Sequence, residues 1–196
     1  MTTALLVIDV QNDFCPGGAL AVPDGDAIVA SVNRLIAGSS CVVLTQDWHP
    51  VGHASFASTH GRDPFTTAEL SYGEQVLWPD HCVQGTRGAA FHADLDIDAA
   101  RLVIRKGHDP RIDSYSAFQE NDRATSTGLA GWLREVGVER VELCGLATDY
   151  CVAYSALDAA TLGFEVAVHT EACRGIDAAG VAAQLAAMEA AGVALL

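Results

Sequence analysis

Residues 141–151 have the sequence VELCGLATDYC, and this stretch decides the fold. Its apolar start is typical of a buried strand, which Gly145 ends. Thr148 and Asp149 favour the start of a helix and so place Cys151 in the first helical turn. There the positive end of the helix dipole favours a thiolate, although a buried cysteine with a purely structural role fits the spacing about as well.

The same strand-then-helix pattern recurs along the chain. Apolar runs predict six strands, at residues 4–10, 41–46, 100–105, 139–144, 164–168 and 193–196. Helical spacing predicts four helices, at residues 26–37, 125–136, 149–162 and 178–191. Strands that alternate with helices predict an α/β fold, in which helices cover both faces of a parallel sheet. We expect a single domain over residues 1–196.

The composition excludes several classes of partner and chemistry. With 25 acidic and 11 basic residues the net charge is −14, which repels nucleic acid and anionic membranes. No run approaches the roughly 20 apolar residues of a membrane-spanning helix, and no signal peptide is visible. Six scattered cysteines without a C-x-x-C pair indicate free thiols in a reducing cytoplasm. Nucleotide cofactors and serine hydrolysis lose support, because their glycine-rich and G-x-S-x-G motifs are missing.

Four chemically active residues follow the C-terminal ends of predicted strands, where parallel sheets bind ligands: Asp9, Asp47, Lys106 and Cys151. We expect them to converge. A cysteine nucleophile needs a proton acceptor and a positive charge, which Asp9 and Lys106 could supply, and the amides near Ala147 and Cys151 could form an oxyanion hole. The alternatives are a local turn cap for Asp9 and a solvated surface position for Lys106.

Residues 47–97 form the longest segment without a predicted strand or helix, and so long a segment usually carries function. It contains Asp47, His49, His53 and His81. One carboxylate and three imidazoles suit a divalent ion such as zinc, iron or manganese. A lone histidine is more often structural, but three in loops beside an aspartate favour a metal site.

Six motifs connect these residues to a known family. They are DVQNDF at 9–14, QDWHP at 46–50, WPDHCV at 78–83, RKG at 105–107, YSAF at 115–118 and GLATDYC at 145–151. In these motifs the chain resembles the nicotinamidase/pyrazinamidase family of the isochorismatase-like cysteine hydrolase superfamily, nearly from end to end.

The resemblance implies a fold and a reaction. The fold is a three-layer α/β/α arrangement with a six-stranded parallel sheet. The reaction is hydrolysis of nicotinamide, and of pyrazinamide, to the acid and ammonia, as a step of NAD salvage. Cys151 would be the nucleophile, Asp9 the general base and then acid, and Lys106 the third member of the triad. A cis peptide at Leu146–Ala147 would direct the amides of Ala147 and Cys151 at the oxyanion.

The resemblance also implies one divalent metal, zinc in the first place and iron or manganese otherwise. Asp47, His49, His53 and His81 would hold the metal, which would bind the ring nitrogen of the substrate. The substrate pocket would contain Phe14, Leu20, Trp78 and Tyr115. A small molecule is therefore the expected partner, and both a monomer and a homo-oligomer agree with the resemblance.

Two rival hypotheses stay open. The first is a hydrolase whose true substrate is another small amide, such as a carbamoyl amine. The second is a binding protein that holds metal or nicotinamide without turnover. Tyr150 is one departure from the family pattern, since many relatives have histidine there; because this position flanks the nucleophile, we expect it to tune the activity.

Overall fold

The chain forms eight strands in the computed structural model, which describes residues 2–196. They are β1 (Thr2–Ile8), β2 (Val42–Asp47), β3 (Thr67–Leu70), β4 (Gly73–Val76), β5 (Ala100–Lys106), β6 (Val138–Leu146), β7 (Glu165–Arg174) and β8 (Ala194–Leu195). Six of them form one sheet in the order β5-β2-β1-β6-β7-β8, while β3 and β4 form a separate antiparallel hairpin. Every neighbouring pair in the six-stranded sheet is parallel.

The chain extends this sheet outward from β1 in two directions. It adds β2 and β5 on one side and then β6, β7 and β8 on the other. Because crossover connections are right-handed, this reversal places the connecting helices on opposite faces of the sheet. The predicted three-layer α/β/α fold with a six-stranded parallel sheet is thereby confirmed. The crevice at the reversal lies beyond the C-terminal ends of β1, β2 and β6.

The sheet is connected and covered by four α-helices. They are α1 (Val29–Gly38), α2 (Leu129–Glu135), α3 (Ala153–Thr161) and α4 (Ala178–Ala190). The central strand β1 is buried on both faces, which explains its continuous apolar run. The edge strand β5 alternates instead, and Val103 is 44% exposed although its sequence run resembles that of a central strand.

Strand β7 continues to Arg174, beyond the predicted end at residue 168, and α1 begins at Val29 after a short 3-10 turn, three residues later than predicted. Three further differences have a clear local cause. The hairpin of β3 and β4 lies in the segment predicted to be irregular, because its four-residue strands are largely polar and carry little hydrophobic pattern. Helix α2 begins only at Leu129, since Gly128 before it has a left-handed backbone. Helix α3 begins at Ala153, after one wider turn of π type over Thr148–Val152.

One cluster of buried apolar residues extends from Ala4 to Val193. This continuous core supports the expectation of one domain over residues 1–196, which stays a prediction. Within residues 2–196, none of the helices has the length and apolar character needed to cross a lipid bilayer.

Candidate active site

Asp9 lies directly after β1 and is fully buried. Its φ of 47° is in the left-handed region, which is uncommon outside glycine and is often stored at functional sites. Thr45 on β2 holds Asp9 from two sides. The Thr45 hydroxyl donates a 2.6 Å hydrogen bond to Oδ1 of Asp9 and accepts one from the Asp9 amide at 3.1 Å. The second oxygen, Oδ2, is thereby directed at Lys106.

Lys106 is the only lysine in the sequence, and it is fully buried at the end of β5. Its Nζ lies 2.9 Å from Oδ2 of Asp9, donates to Asp47, and donates to the Ser114 carbonyl at 2.9 Å. It also lies 3.5 Å from Sγ of Cys151. The surface position that is usual for lysine is therefore excluded. One cation joins two carboxylates and the cysteine at the crevice.

The charges around Lys106 determine its protonation. Burial alone would lower the pKa of the ammonium, but the carboxylates of Asp47 and Asp9 raise this pKa well above its ordinary value. Burial acts in the opposite direction on Asp47, yet the positive charge of Lys106 keeps the pKa of that carboxyl well below its usual range. Lys106 and Asp47 are therefore an ion pair.

The single lysine makes this ion pair measurable. Lysine labelled with ¹³C at Cε should give one resonance, which should keep its charged-form position as the pH is raised through about 10.4, the ordinary lysine pKa. The reason is that the neighbouring carboxylates favour the ammonium. In urea-unfolded protein the same carbon should titrate at the ordinary value. Titration of the folded protein at or below that value would contradict the ion pair.

Cys151 lies in the π-type turn after β6 and is 6% exposed. Its sulfur and the carboxylates of Asp9 and Asp47 lie within 4.8 Å of one another. Burial raises the pKa of the thiol well above its ordinary value, and the two carboxylates add to this effect while Lys106 opposes it. The resting group is therefore a neutral thiol. In the resting protein, burial and the negative neighbours outweigh the helix start, which by itself favours a thiolate.

Asp9 is suited to take the thiol proton. Burial raises the pKa of this carboxyl, and Lys106 offsets only part of that effect. A carboxylate with a raised pKa is a stronger base than an ordinary one. The structure therefore brings a carboxylate, a cation and a thiol together at the ends of the parallel strands.

The turn that carries Cys151 approaches β1 closely. Gly145 has a φ of 123°, and a Cβ there would overlap the carbonyl oxygen of Ile8, so only glycine fits. The peptide bond between Leu146 and Ala147 is cis, as expected from the resemblance. The turn is linked to the start of α4, because the carboxylate of Asp149 accepts hydrogen bonds from two backbone amides there, at 2.9 Å each.

Asp47, His49 and His81 form a buried group beside Lys106. Oδ2 of Asp47 lies 3.6 Å from Nε2 of His49 and 3.8 Å from Nε2 of His81. Two ligands at about 2.1 Å from a zinc ion lie roughly 3–3.5 Å apart, so small shifts would complete a site. The other ring nitrogens face backbone carbonyls, Nδ1 of His49 that of Gly107 and Nδ1 of His81 that of Pro79, each at 2.8 Å.

These carbonyl contacts determine the tautomer of both rings. A carbonyl only accepts, so Nδ1 carries the hydrogen and Nε2 presents a lone pair. Nε2 of His49 is a buried nitrogen without a hydrogen-bond partner among the described residues. Two imidazole lone pairs and one carboxylate oxygen that face each other fit a divalent metal.

His53 does not join this group. Its Nδ1 lies 2.8 Å from the hydroxyl of Ser55, and its Nε2 lies 2.9 Å from the carbonyl of Asp109. Its ring lies instead against that of His49, with 4.4 Å between centroids. His53, the fourth predicted ligand, belongs instead to a second buried group with His49 and Asp113, whose ligand atoms also lie within 4.8 Å of one another.

The predicted pocket residues line one cavity together with Asp47, His81 and Cys151: Phe14, Leu20, Trp78 and Tyr115. Nε1 of Trp78 donates to the hydroxyl of Tyr115 at 3.2 Å, which fixes the indole ring. Tyr150 lies edge-on to Trp78, with 4.9 Å between centroids, and is part of the same wall.

Several residues of this region were missed from the sequence. Thr45 and Ser114 contact the triad, and Asp113 lines the cavity, but each is a common polar residue in a strand or loop. Asp113 could have been noted as an acid two positions before the YSAF motif. For Gln75, which is buried below the cavity, no sequence signal was present.

The chain is similar to known proteins along most of its length. A family model described as the Isochorismatase domain matches residues 3–196. The chain is 54% identical to the nicotinamidase of Acinetobacter baylyi over 178 residues, which cover 90% of this chain and 83% of that protein. It is 49% identical to the nicotinamidase of Escherichia coli K12 over 178 residues, which cover 89% and 84%.

Solved structures share the fold. The Acinetobacter baumanii nicotinamidase pyrazinamidase superposes with a TM-score of 0.97 at 52% identity, over 100% of this chain and 95% of that one. An L. infantum protein solved in complex with nicotinate has a TM-score of 0.88 at 42% identity, over 100% and 92%. The pyrazinamidase of Pyrococcus horikoshii, solved in complex with zinc, has a TM-score of 0.81 at 39% identity, over 100% and 99%.

Proposed function

This chain belongs to the isochorismatase domain family, and we propose that it hydrolyses nicotinamide to nicotinate and ammonia through a thioester on Cys151. One observation carries the proposal: the thiol of Cys151 lies 3.5 Å from Lys106, which is paired with Asp9, in the cavity that also contains His81 and Asp47. The nicotinamidases among its relatives support the choice of substrate.

Asp9 and Cys151 perform the first half of the reaction. Asp9 accepts the proton of the Cys151 thiol as the sulfur attacks the carboxamide carbon. The amides of Ala147 and Cys151 stabilise the oxyanion of the tetrahedral intermediate. When the C–N bond breaks, Asp9 returns the proton to the nitrogen, and ammonia leaves behind a thioester between the nicotinoyl group and Sγ.

The second half uses the same base. Asp9 takes a proton from a water molecule, whose oxygen attacks the thioester carbon. The C–S bond breaks, the proton passes to the sulfur, and nicotinate leaves. Lys106 keeps Asp9 in place through both halves and balances negative charge near the sulfur.

The metal set that we propose is Asp47, His49 and His81. A bound divalent metal would hold the ring nitrogen and so orient the carboxamide toward Cys151. Zinc is our first expectation, with iron or manganese as alternatives, because one carboxylate and two imidazoles suit all three. The zinc in the structure of the P. horikoshii pyrazinamidase supports this choice.

Pyrazinamide, which has the same amide and a ring nitrogen in the same position, should also be hydrolysed. The reaction would return nicotinamide to NAD synthesis as nicotinate. A cytoplasmic location agrees with six cysteines that are all free and buried.

Ammonia release by the purified protein tests the function. The substrates are nicotinamide, pyrazinamide, benzamide and N-carbamoylsarcosine, and we expect the largest kcat/KM with nicotinamide or pyrazinamide. A larger kcat/KM with a substrate that has no ring nitrogen would favour the rival hypothesis, a hydrolase whose true substrate is another small amide. Tight nicotinamide binding without ammonia release under reducing conditions would favour a binding protein.

Removal of the metal should reduce the hydrolysis of nicotinamide more than that of benzamide. After chelation and gel filtration, kcat/KM for nicotinamide should fall at least about tenfold, because a poorly positioned amide reacts slowly. Benzamide, which has no ring nitrogen, should lose less. Elemental analysis follows the metal, and added zinc should restore activity. Unchanged nicotinamide hydrolysis in protein shown to be free of metal would refute the metal's role.

Thr45→Val should change the orientation of the Asp9 carboxylate without changing a residue of the substrate pocket. It removes both hydrogen bonds between the hydroxyl and Asp9, so kcat should fall about 10- to 100-fold as the carboxylate loses its orientation. The free energy of unfolding should fall by about 1–3 kcal/mol, since a buried acceptor loses its partner. Thr45→Ser keeps the hydroxyl and is the control. Equal kcat for the two variants would show that the hydroxyl has no positioning role.

A further inference from the structure

The hairpin of β3 and β4 inserts one polar side chain under the candidate active site. Gln75 on β4 is 1% exposed, although neighbouring residues of the hairpin are partly or fully exposed. A buried amide is costly unless its donors and acceptor are used. The hydrogen-bond partners of the Gln75 amide therefore indicate its role.

The side chain of Gln75 connects four others. Its Nε2 lies 2.7 Å from Oδ2 of Asp113, 2.9 Å from the hydroxyl of Tyr115 and 2.7 Å from the carbonyl of Val76, so three acceptors share its two hydrogens. Its Oε1 accepts hydrogen bonds from the hydroxyl of Tyr72 and from Nδ2 of Asn121, each at 3.1 Å. Tyr115 in turn accepts from Trp78, so the amide also supports the aromatic wall of the pocket.

Asp113 connects Gln75 with the proposed metal ligands. The carboxylate is 2% exposed and lines the cavity with Asp47 and His81. While Oδ2 is held by Gln75, Oδ1 accepts from the amide of Ser114 at 2.9 Å and lies 4.0 Å from Nε2 of His49. A negative charge held at this point attracts a cation bound between His49 and its partners.

We propose that Gln75 is a positioning residue for the metal site, acting through Asp113 and Tyr115. The inference rests on the proposed metal set of Asp47, His49 and His81, and it adds a residue from a hairpin outside the six-stranded sheet. Without the amide, the carboxylate of Asp113 loses a donor and turns away from His49. Gln75 thereby favours the binding of a divalent cation at the proposed metal site.

The test measures zinc affinity, by competition between apoprotein and a chromophoric chelator. Gln75→Met keeps the side-chain volume and removes both donors, and it should weaken zinc binding about tenfold, as removal of residues behind metal ligands usually does. KM for nicotinamide should rise more than kcat falls. Asn33→Leu is the matched control: Asn33 also joins distant backbone segments, Asp94 and Asp96, but none of these residues lines the cavity that contains His81 and Cys151. It should leave zinc affinity unchanged.

A double-mutant cycle shows whether Gln75 acts through Asp113. In the Asp113→Asn background, Gln75→Met should change zinc affinity less than twofold. If Gln75→Met does not fold, Gln75→Asn decides, because it keeps an uncharged amide but withdraws it from Asp113 by one methylene group, and it should also weaken zinc binding. Wild-type affinity in the folded variants would overturn the inference. Failure of the wild type itself to bind zinc, iron or manganese would overturn the proposed metal site instead.

Discussion

Cys151→Ala is expected to lower kcat for nicotinamide by a factor on the order of 10⁴–10⁶, the usual loss when an enzyme's only nucleophile is removed. The side chain lies within reach of both Asp9 and Lys106, and no other cysteine lies in the cavity lined by Trp78 and His81. No second thiol among the described residues could replace it. The measurement is ammonia release in the steady state, with far-ultraviolet circular dichroism and zinc content to show that fold and metal site persist.

Cys41→Ala is the matched control for this substitution. Cys41 is equally buried, but it lies just before the N-terminal end of β2, at the opposite end of the sheet from the cavity. Its replacement should reduce stability and leave kcat near the wild-type value. Activity in Cys151→Ala comparable to that of Cys41→Ala would refute covalent catalysis by this cysteine.

Lys106→Met is expected to damage stability and activity together. It leaves the carboxylates of Asp9 and Asp47 buried near each other without a cation. Breaking a buried ion pair by removing one partner costs about 3–5 kcal/mol, so the free energy of unfolding in urea should fall by that amount. We expect kcat/KM to fall by about three orders of magnitude, because Asp9 then stays protonated and cannot serve as the base.

Two further variants show whether the effects of Lys106→Met come from the loss of the buried ion pair or from a general loss of stability. Arg123→Met breaks an ion pair with Asp158 whose cation is 56% exposed, so its effect on stability should be smaller. Asp9→Asn combined with Lys106→Met removes one of the two stranded carboxylates and should recover part of the stability, but none of the activity. If Lys106→Met were as stable as the wild type, the buried charge network would be wrong.

The six strands of the parallel sheet were predictable because each carries its own signal. The apolar run around Leu5 is long and nearly continuous, the run around Leu143 is interrupted by Glu142, and helices with ordinary stop signals separate the strands. Once the sheet is parallel, its topology brings the ends of β1, β2, β5 and β6 to one edge. The proximity of Asp9, Lys106 and Cys151 follows from this geometry.

The remaining features depend on contacts that local sequence does not encode. Whether His53 faces a metal or a carbonyl depends on the loop at Asp109, more than 50 positions away. The neutral state of the Cys151 thiol depends on burial and on charges from three strands, whereas the sequence showed only the helix start. Gln75 became visible only when the hairpin was placed against Asp113.

The central claim is that Cys151 adds to the carbonyl carbon of the substrate, and nicotinaldehyde labelled with ¹³C at its carbonyl tests it most directly. Addition of the thiol forms a C–S bond and a tetrahedral carbon, with the thiol proton passing through Asp9 to the oxygen. We predict a protein-bound tetrahedral resonance in the wild type, distinct from that of the hydrate in buffer, and its loss in Cys151→Ala. A bound aldehyde whose carbon stays trigonal in the active wild type, or a tetrahedral signal that persists in Cys151→Ala, would contradict the account.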